Sequence, residues 1–129
     1  NTPIDLSNID IPSFFLSTKC DHLAPWKSTY EGSKLLSGKV EFCLADSGHI
    51  AGVINPPAKS KYCYWSNPKL EADQEEWLAK ATKQEGSWWG YWSDWQKKYS
   101  GRLTETNLYD NIKFIESAPG SYVKKTYLS

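Results

Sequence analysis

The chain has 129 residues, with 15 Lys plus Arg against 15 Asp plus Glu and a formal net charge of zero. That balance excludes the basic stripe that nucleic acid or an anionic membrane surface demands, and no apolar run approaches the ~18 residues needed to cross a bilayer. The length suits one domain with a real core, while seven Trp, eight Tyr and four Phe, mostly beyond residue 60, divide it into two compositional halves.

Residues 1–11, NTPIDLSNIDI, form an irregular lead-in with no signal-peptide character. SFFLSTK (13–19) sets aromatic and apolar residues before polar ones and predicts a short buried strand. CDHLAP (20–25) is a loop, with Pro25 closing it or opening the next helix at its first turn. In WKSTYEGSKLLSG (26–38), Trp26, Tyr30, Ser33/Lys34 and Leu36 recur at helical spacing, and Gly38 stands where a C-terminal cap is expected. KVEFCLAD (39–46) alternates Val40, Phe42 and Leu44 with polar or small partners, which predicts a second strand. Strand, helix and strand at this spacing make a βαβ unit with parallel strands. GVINPPAK (52–59) should run extended around Pro56 and Pro57, since each restricts its predecessor.

EADQEEWLAKAT (71–82) predicts a helix with Trp77, Leu78 and Ala81 on one face and acidic residues near its start, where the macrodipole favours them. SWWGYWSDWQKKYSG (87–101) predicts another, capped by Ser87 and ending at Gly101. NIKFIES (111–117) reads as a short strand, and APGSYVKK (118–125) as a turn leading into an extended tail. There is no internal repeat.

Two residues stand just beyond the carboxyl ends of the two parallel strands, where the working residues of open α/β sheets gather. Asp21 follows the first strand. His49 follows the second, in the stretch LADSGHIAGV (44–53), where Gly48 and Gly52 leave its loop open and adjustable. An acid after one strand and a histidine after the next is the order of the late half of the α/β-hydrolase fold. There the acid holds the imidazole in one tautomer and stabilises the imidazolium that forms. Taken singly, Asp21 is a turn residue or helix cap and His49 a loop histidine; at matching strand ends they read as a catalytic pair. His22 reads as structural.

The nucleophile is missing. Its strained elbow needs G-x-S-x-G or the cysteine equivalent, but the cysteine neighbourhoods are TKCDH, EFCLA and KYCYW, and no serine has the pattern. Cys20, Cys43 and Cys63 are odd in number and suggest free thiols in a reducing cytoplasm. Cys20-Asp21-His22 crowds its donors too closely for zinc, and no C-x-x-C occurs, so neither a metal nor a cofactor is expected. With two members of a triad and no initiator methionine, the chain is expected to be the C-terminal piece of a longer α/β enzyme.

STKCDHLAPWKSTY, SGHIAGVINPPAK, EGSWWGYWSDW and the terminal APGSYVKK resemble the C-terminal end of the polyhydroxyalkanoate synthases, over residues of about 10 to 125. The class acting on short-chain monomers fits better. The resemblance implies the C-terminal portion of an α/β-hydrolase fold and a cysteine nucleophile upstream of this chain. His49 would be the base that activates it, and Asp21 would orient His49 or help to activate the 3-hydroxyl of the incoming monomer. The substrate would be (R)-3-hydroxyacyl-coenzyme A, a thioester and not a cofactor, and the product a growing polyester. A homodimeric full-length enzyme at the surface of cytoplasmic polyester granules is also implied, with this piece inactive alone. Two departures are Cys20, where the family often has an acidic residue, and Gly90, where it often has proline.

Trp88, Trp92 and Trp95 share one helical face with Trp89 alongside, a stripe that predicts packing against the rest of the hydrolase domain. The alternative is an aromatic-rich module that binds carbohydrate or another ligand without catalysis.

Overall fold

The computed structural model describes residues 3–105 and 112–126. Four strands, β1 (Ser13–Thr18), β2 (Val40–Ala45), β3 (Cys63–Asn67) and β4 (Thr82–Glu85), form one sheet in the order β1-β2-β3-β4. Three helices, α1 (Trp26–Ser33), α2 (Gln74–Lys80) and α3 (Trp89–Tyr99), complete the α/β architecture. β1 and β2 are parallel with α1 between them in sequence, as the spacing predicts. β3 and β4 turn back antiparallel, so the sheet is mixed.

Strand alternation feeds two cores. Phe42 and Leu44 of β2 pack with Trp26 and Tyr30 of α1 and Trp77 of α2, joined by Phe15 and Trp65. Cys43 and Ala45 point the other way, with Tyr64 and Trp88, joined by Phe14, Leu16, Trp89 and Tyr91. A period of two therefore places α1 and α2 on one face and α3 on the other. Phe42 meets Tyr30 and Trp77 nearly edge-on, with ring centroids 5.1 and 5.2 Å apart. Such contacts add to the ~1.5–3 kcal/mol that burial of each large apolar side chain contributes.

Several local expectations are corrected. α1 stops at Ser33, five residues before Gly38. Gly38 instead lies against the lead-in, where a Cβ would stand 2.5 Å from the backbone of Asp10 and Ile11. Its amide and that of Ser37 donate to the Ile9 carbonyl. The glycine permits a close backbone crossing, which helical periodicity does not report. α2 begins only after Asp73, whose carboxylate accepts from the Glu75 and Glu76 amides at 2.8 and 3.0 Å. Glu71 is buried beside Lys80, outside the helix. Beyond Pro56 the chain turns: the Pro56 carbonyl accepts from the amides of Lys59 and Ser60, so the segment is not extended throughout.

β4 was not predicted. Its sequence TKQE is exposed throughout and lies at the sheet's edge, where Lys83 and Glu85 discourage further pairing. NIKFIES does not form a strand over its described part, residues 112–117, and Asn111 lies outside the described residues. Phe114 and Ile115 there are exposed and join no sheet. The tail after the turn at 118–119 includes a short 3-10 turn, Tyr122–Lys124, and so is not simply extended.

Candidate active site

β1 and β2 end in register, Thr18 beside Ala45. The pairing continues into the loops: the Lys19 amide donates to the Ala45 carbonyl at 2.8 Å, and that of Cys20 to the Ser47 carbonyl at 2.9 Å. Ser47 takes a left-handed conformation, φ 72°, as the chain leaves β2. Two loops that leave the same sheet end side by side are thus tied together before either reaches its functional residue.

Asp21 and His49 meet there. The Nδ1 of His49 lies 2.7 Å from Oδ2 of Asp21. The other carboxylate oxygen, Oδ1, accepts from the Leu23 and Ala24 amides at 2.8 and 3.0 Å. Asp21 is therefore both the turn residue and the partner of the histidine, one oxygen serving each role. Its side chain is 7% accessible, whereas that of His49 is 54% accessible. The hydrogen bond from His49, and next the Ala24 amide, pull the Asp21 carboxyl down to about 2 from its usual 3.8. At neutral pH the carboxylate is ionised and can only accept, so Nδ1 must be the donor. In the neutral ring the lone pair then sits on Nε2, on the side away from Asp21. An open, oriented imidazole of this kind is competent to take a proton from a partner that approaches from outside.

The remaining predicted residues fall into place around this pair. His22 is exposed, and among the described residues it makes no hydrogen bond. Cys43 is fully buried and Cys63 nearly so, and burial raises both thiols above their usual range, which suits inert core residues. Cys20 is exposed and adjoins the acid in sequence. Among the described residues no group of three His, Cys, Asp or Glu is placed to hold a metal ion. No helix among them is long and apolar enough to cross a membrane.

From the sequence, Gly52 has the role of leaving the loop open and Trp88 and Trp89 that of domain packing. The structure corrects the first, since Gly52 is closely packed, and adds a second role for the indoles, which hold the histidine's turn. Residues 49–53 form a tight turn in which the Gly52 amide donates to Gly48 and that of Ile54 to Ile50, at 2.9 and 2.8 Å. A Cβ on Gly52 would lie 2.4 Å from the Asp46 carbonyl oxygen and 2.6 Å from Cγ2 of Thr18, so only glycine lets the turn sit against the strand ends. The indole N–H of Trp88 is shared between the carbonyls of Gly52 and Val53, at 3.1 and 3.2 Å. That of Trp89 donates to Val53 at 3.0 Å. Trp88 and Trp95 of the aromatic stripe pack on this chain's own sheet, with ring centroids 6.4 and 5.5 Å from Phe14, while Trp92 is exposed.

No protein-family profile matches the chain. Curated relatives do, over nearly its full length. It is 44% identical over 126 residues to the poly(3-hydroxyalkanoate) polymerase subunit of Cupriavidus necator, covering 95% of this chain and 21% of that protein. The corresponding subunit of Rhizobium meliloti is 45% identical over 122 residues, 94% of this chain and 20% of its own. Polymerase 2 of Ectopseudomonas oleovorans is 42% identical over 125 residues, 95% of this chain and 22% of its own. The resemblance drawn from the sequence motifs stands, and the chain spans about a fifth of the length of the relatives it matches.

Proposed function

We propose that this chain is the C-terminal part of the α/β-hydrolase catalytic domain of a poly(3-hydroxyalkanoate) polymerase, and that it supplies the acid and base of a triad whose cysteine lies elsewhere in the longer protein. The observation that carries this reading is the 2.7 Å contact between Asp21 and His49, in a chain 44% identical to such a polymerase. On this reading the chain is one piece of a single domain, and alone it is inactive.

His49 Nε2 takes the proton of the cysteine thiol. The thiolate attacks the thioester carbonyl of (R)-3-hydroxyacyl-coenzyme A, the C–S bond to coenzyme A breaks, and the imidazolium returns its proton to the departing thiolate. Transfer between two thiols is nearly balanced, so the same base serves loading and release. The growing polyester is then extended when the 3-hydroxyl of one unit attacks the acyl thioester of another: the ester C–O bond forms, the C–S bond to the thiol breaks, and the hydroxyl proton passes by way of His49 to the departing thiolate. Asp21 has one oxygen on His49 and the other on two backbone amides, which supports the role of orienting the imidazole over that of activating the hydroxyl. A cytoplasmic homodimer at the granule surface belongs to the same reading and rests on the sequence resemblance alone.

The packing of Trp88 and Trp95 on Phe14 supports this reading over an aromatic-rich binding module. The reading is tested in a chimera that places this chain in the matching fifth of the Cupriavidus necator subunit. His49→Gln and Asp21→Asn should each lower kcat for thiol release by about 10²–10⁴-fold. Unchanged kcat in His49→Gln would overturn the assignment.

A further inference from the structure

We propose that Trp88 and Trp89 are positioning residues for His49, their indole N–H groups pinning the turn that carries the histidine against the ends of β1 and β2. The inference rests on the reading of His49 as a base for its catalytic consequence, but its geometric part stands on its own.

The 49–53 turn has the bonding of a single helical turn, and its last carbonyls have no partner within it. Gly52 is buried, so its carbonyl cannot turn to solvent without disturbing the packing around it. Indole N–H groups at the start of α3 satisfy both carbonyls: Trp88, just before the helix, bridges Gly52 and Val53, and Trp89 adds a second bond to Val53. Trp88 is itself buried, and Phe14 of β1 stacks on it, so the donor is held by the sheet that carries the acid. The turn is also packed closely where Gly52 lies against Thr18 and Asp46. His49 begins this turn, and among the described residues its ring makes one hydrogen bond, to Asp21. A half-exposed ring held by one bond depends on its backbone for direction. A shift of a fraction of an ångström at Gly52–Val53 would therefore lengthen the bond to Asp21 and re-aim Nε2.

Trp92 provides the internal control. It lies one turn further along α3, near Trp88 with ring centroids 6.1 Å apart, and among the described residues its indole makes no bond to the turn.

The test is a carbon-13 NMR titration of the Asp21 carboxyl in the 129-residue chain. Trp88→Phe and Trp89→Phe should each raise its midpoint from about 2 toward the usual 3.8, as the bond from His49 loosens, while Trp92→Phe should leave it in place. Unchanged midpoints in Trp88→Phe and Trp89→Phe, with the backbone amide spectrum intact, would overturn the proposal. Should Trp88→Phe unfold the chain, Trp89→Phe decides. A measurement with both tryptophans present covers loss of the two: because coupling is reciprocal, His49→Gln should speed solvent exchange of the Trp88 and Trp89 indole protons severalfold and spare Trp92. Equal exchange in His49→Gln and the wild type would equally overturn it. In the chimera, Trp89→Phe should lower kcat about tenfold with KM unchanged. A moved midpoint with unchanged kcat would keep the positioning role and overturn the catalytic reading of His49.

Discussion

At the scale of single residues, Asp21 is the most constrained polar group of the site. Its carboxyl titrates well below the ordinary range because the folded state hydrogen-bonds the ionised form. Folding therefore gains stability from this group that is fully present above about pH 4 and is lost as pH falls through about 2. Asp21→Asn should flatten that part of an acid-denaturation curve followed by circular dichroism; an unaltered curve would mean that the carboxylate is not held as described. Gly52 is constrained by space instead. Gly52→Ala should cost about 1–3 kcal/mol in urea unfolding, because its Cβ meets the Asp46 carbonyl and Thr18. Asp21 and His49 were legible in the sequence because each follows a strand whose end could be located. The need for glycine at 52 was not, because it arises from the approach of Thr18, 34 positions away along the chain, and local spacing carries no trace of it.

At the scale of elements, legibility followed apolar alternation. β1, β2 and the cores of α2 and α3 show it, and they formed where expected. β4 has no apolar residue, so nothing in TKQE separates it from a loop; it is a strand because β3 offers it a partner. The ends of α1 and α2 shifted for similar reasons. Asp73 caps α2 two residues after the predicted start, and the residues before it are drawn into contacts of Glu71 with Lys80 and Lys69. α3 starts at Trp89 with Ser87 still accepting its amide at 3.2 Å, and Gly101, φ 71°, follows its end as predicted. Gly90 sits in the first turn of α3, where a Cβ meets nothing within 4 Å. Gly90→Ala should therefore stabilise the chain by about 0.5–1 kcal/mol in the same urea assay. Trp77→Ala, at the centre of the other core, should cost about 3–5 kcal/mol.

At the scale of the whole molecule, the sheet has two unlike edges. β4 is polar and charged, whereas β1 carries Phe14, Phe15 and Leu16 along an edge with no neighbour among the described residues. Leu23, Ile50 and Ile54 are exposed on the loops near the dyad. An open parallel edge with apolar loops at its end favours association. Analytical ultracentrifugation of the chain should show reversible self-association at micromolar concentrations; a monomer throughout that range would contradict this. The same features suit the proposal that the sheet continues in a longer polymerase, and no local pattern in the 129 residues could reveal what continues it. The catalytic role proposed for the dyad would likewise belong to that larger whole.

The most direct measurement is thiol release from (R)-3-hydroxybutyryl-coenzyme A, made on this chain alone and on the chimera with the Cupriavidus necator subunit, each with and without His49→Ala. The chain alone should release no thiol, the chimera should turn over, and His49→Ala should abolish that turnover. Release by the chain alone would place the nucleophile among Cys20, Cys43 and Cys63, and a chimera still active with His49→Ala would remove the base from the mechanism.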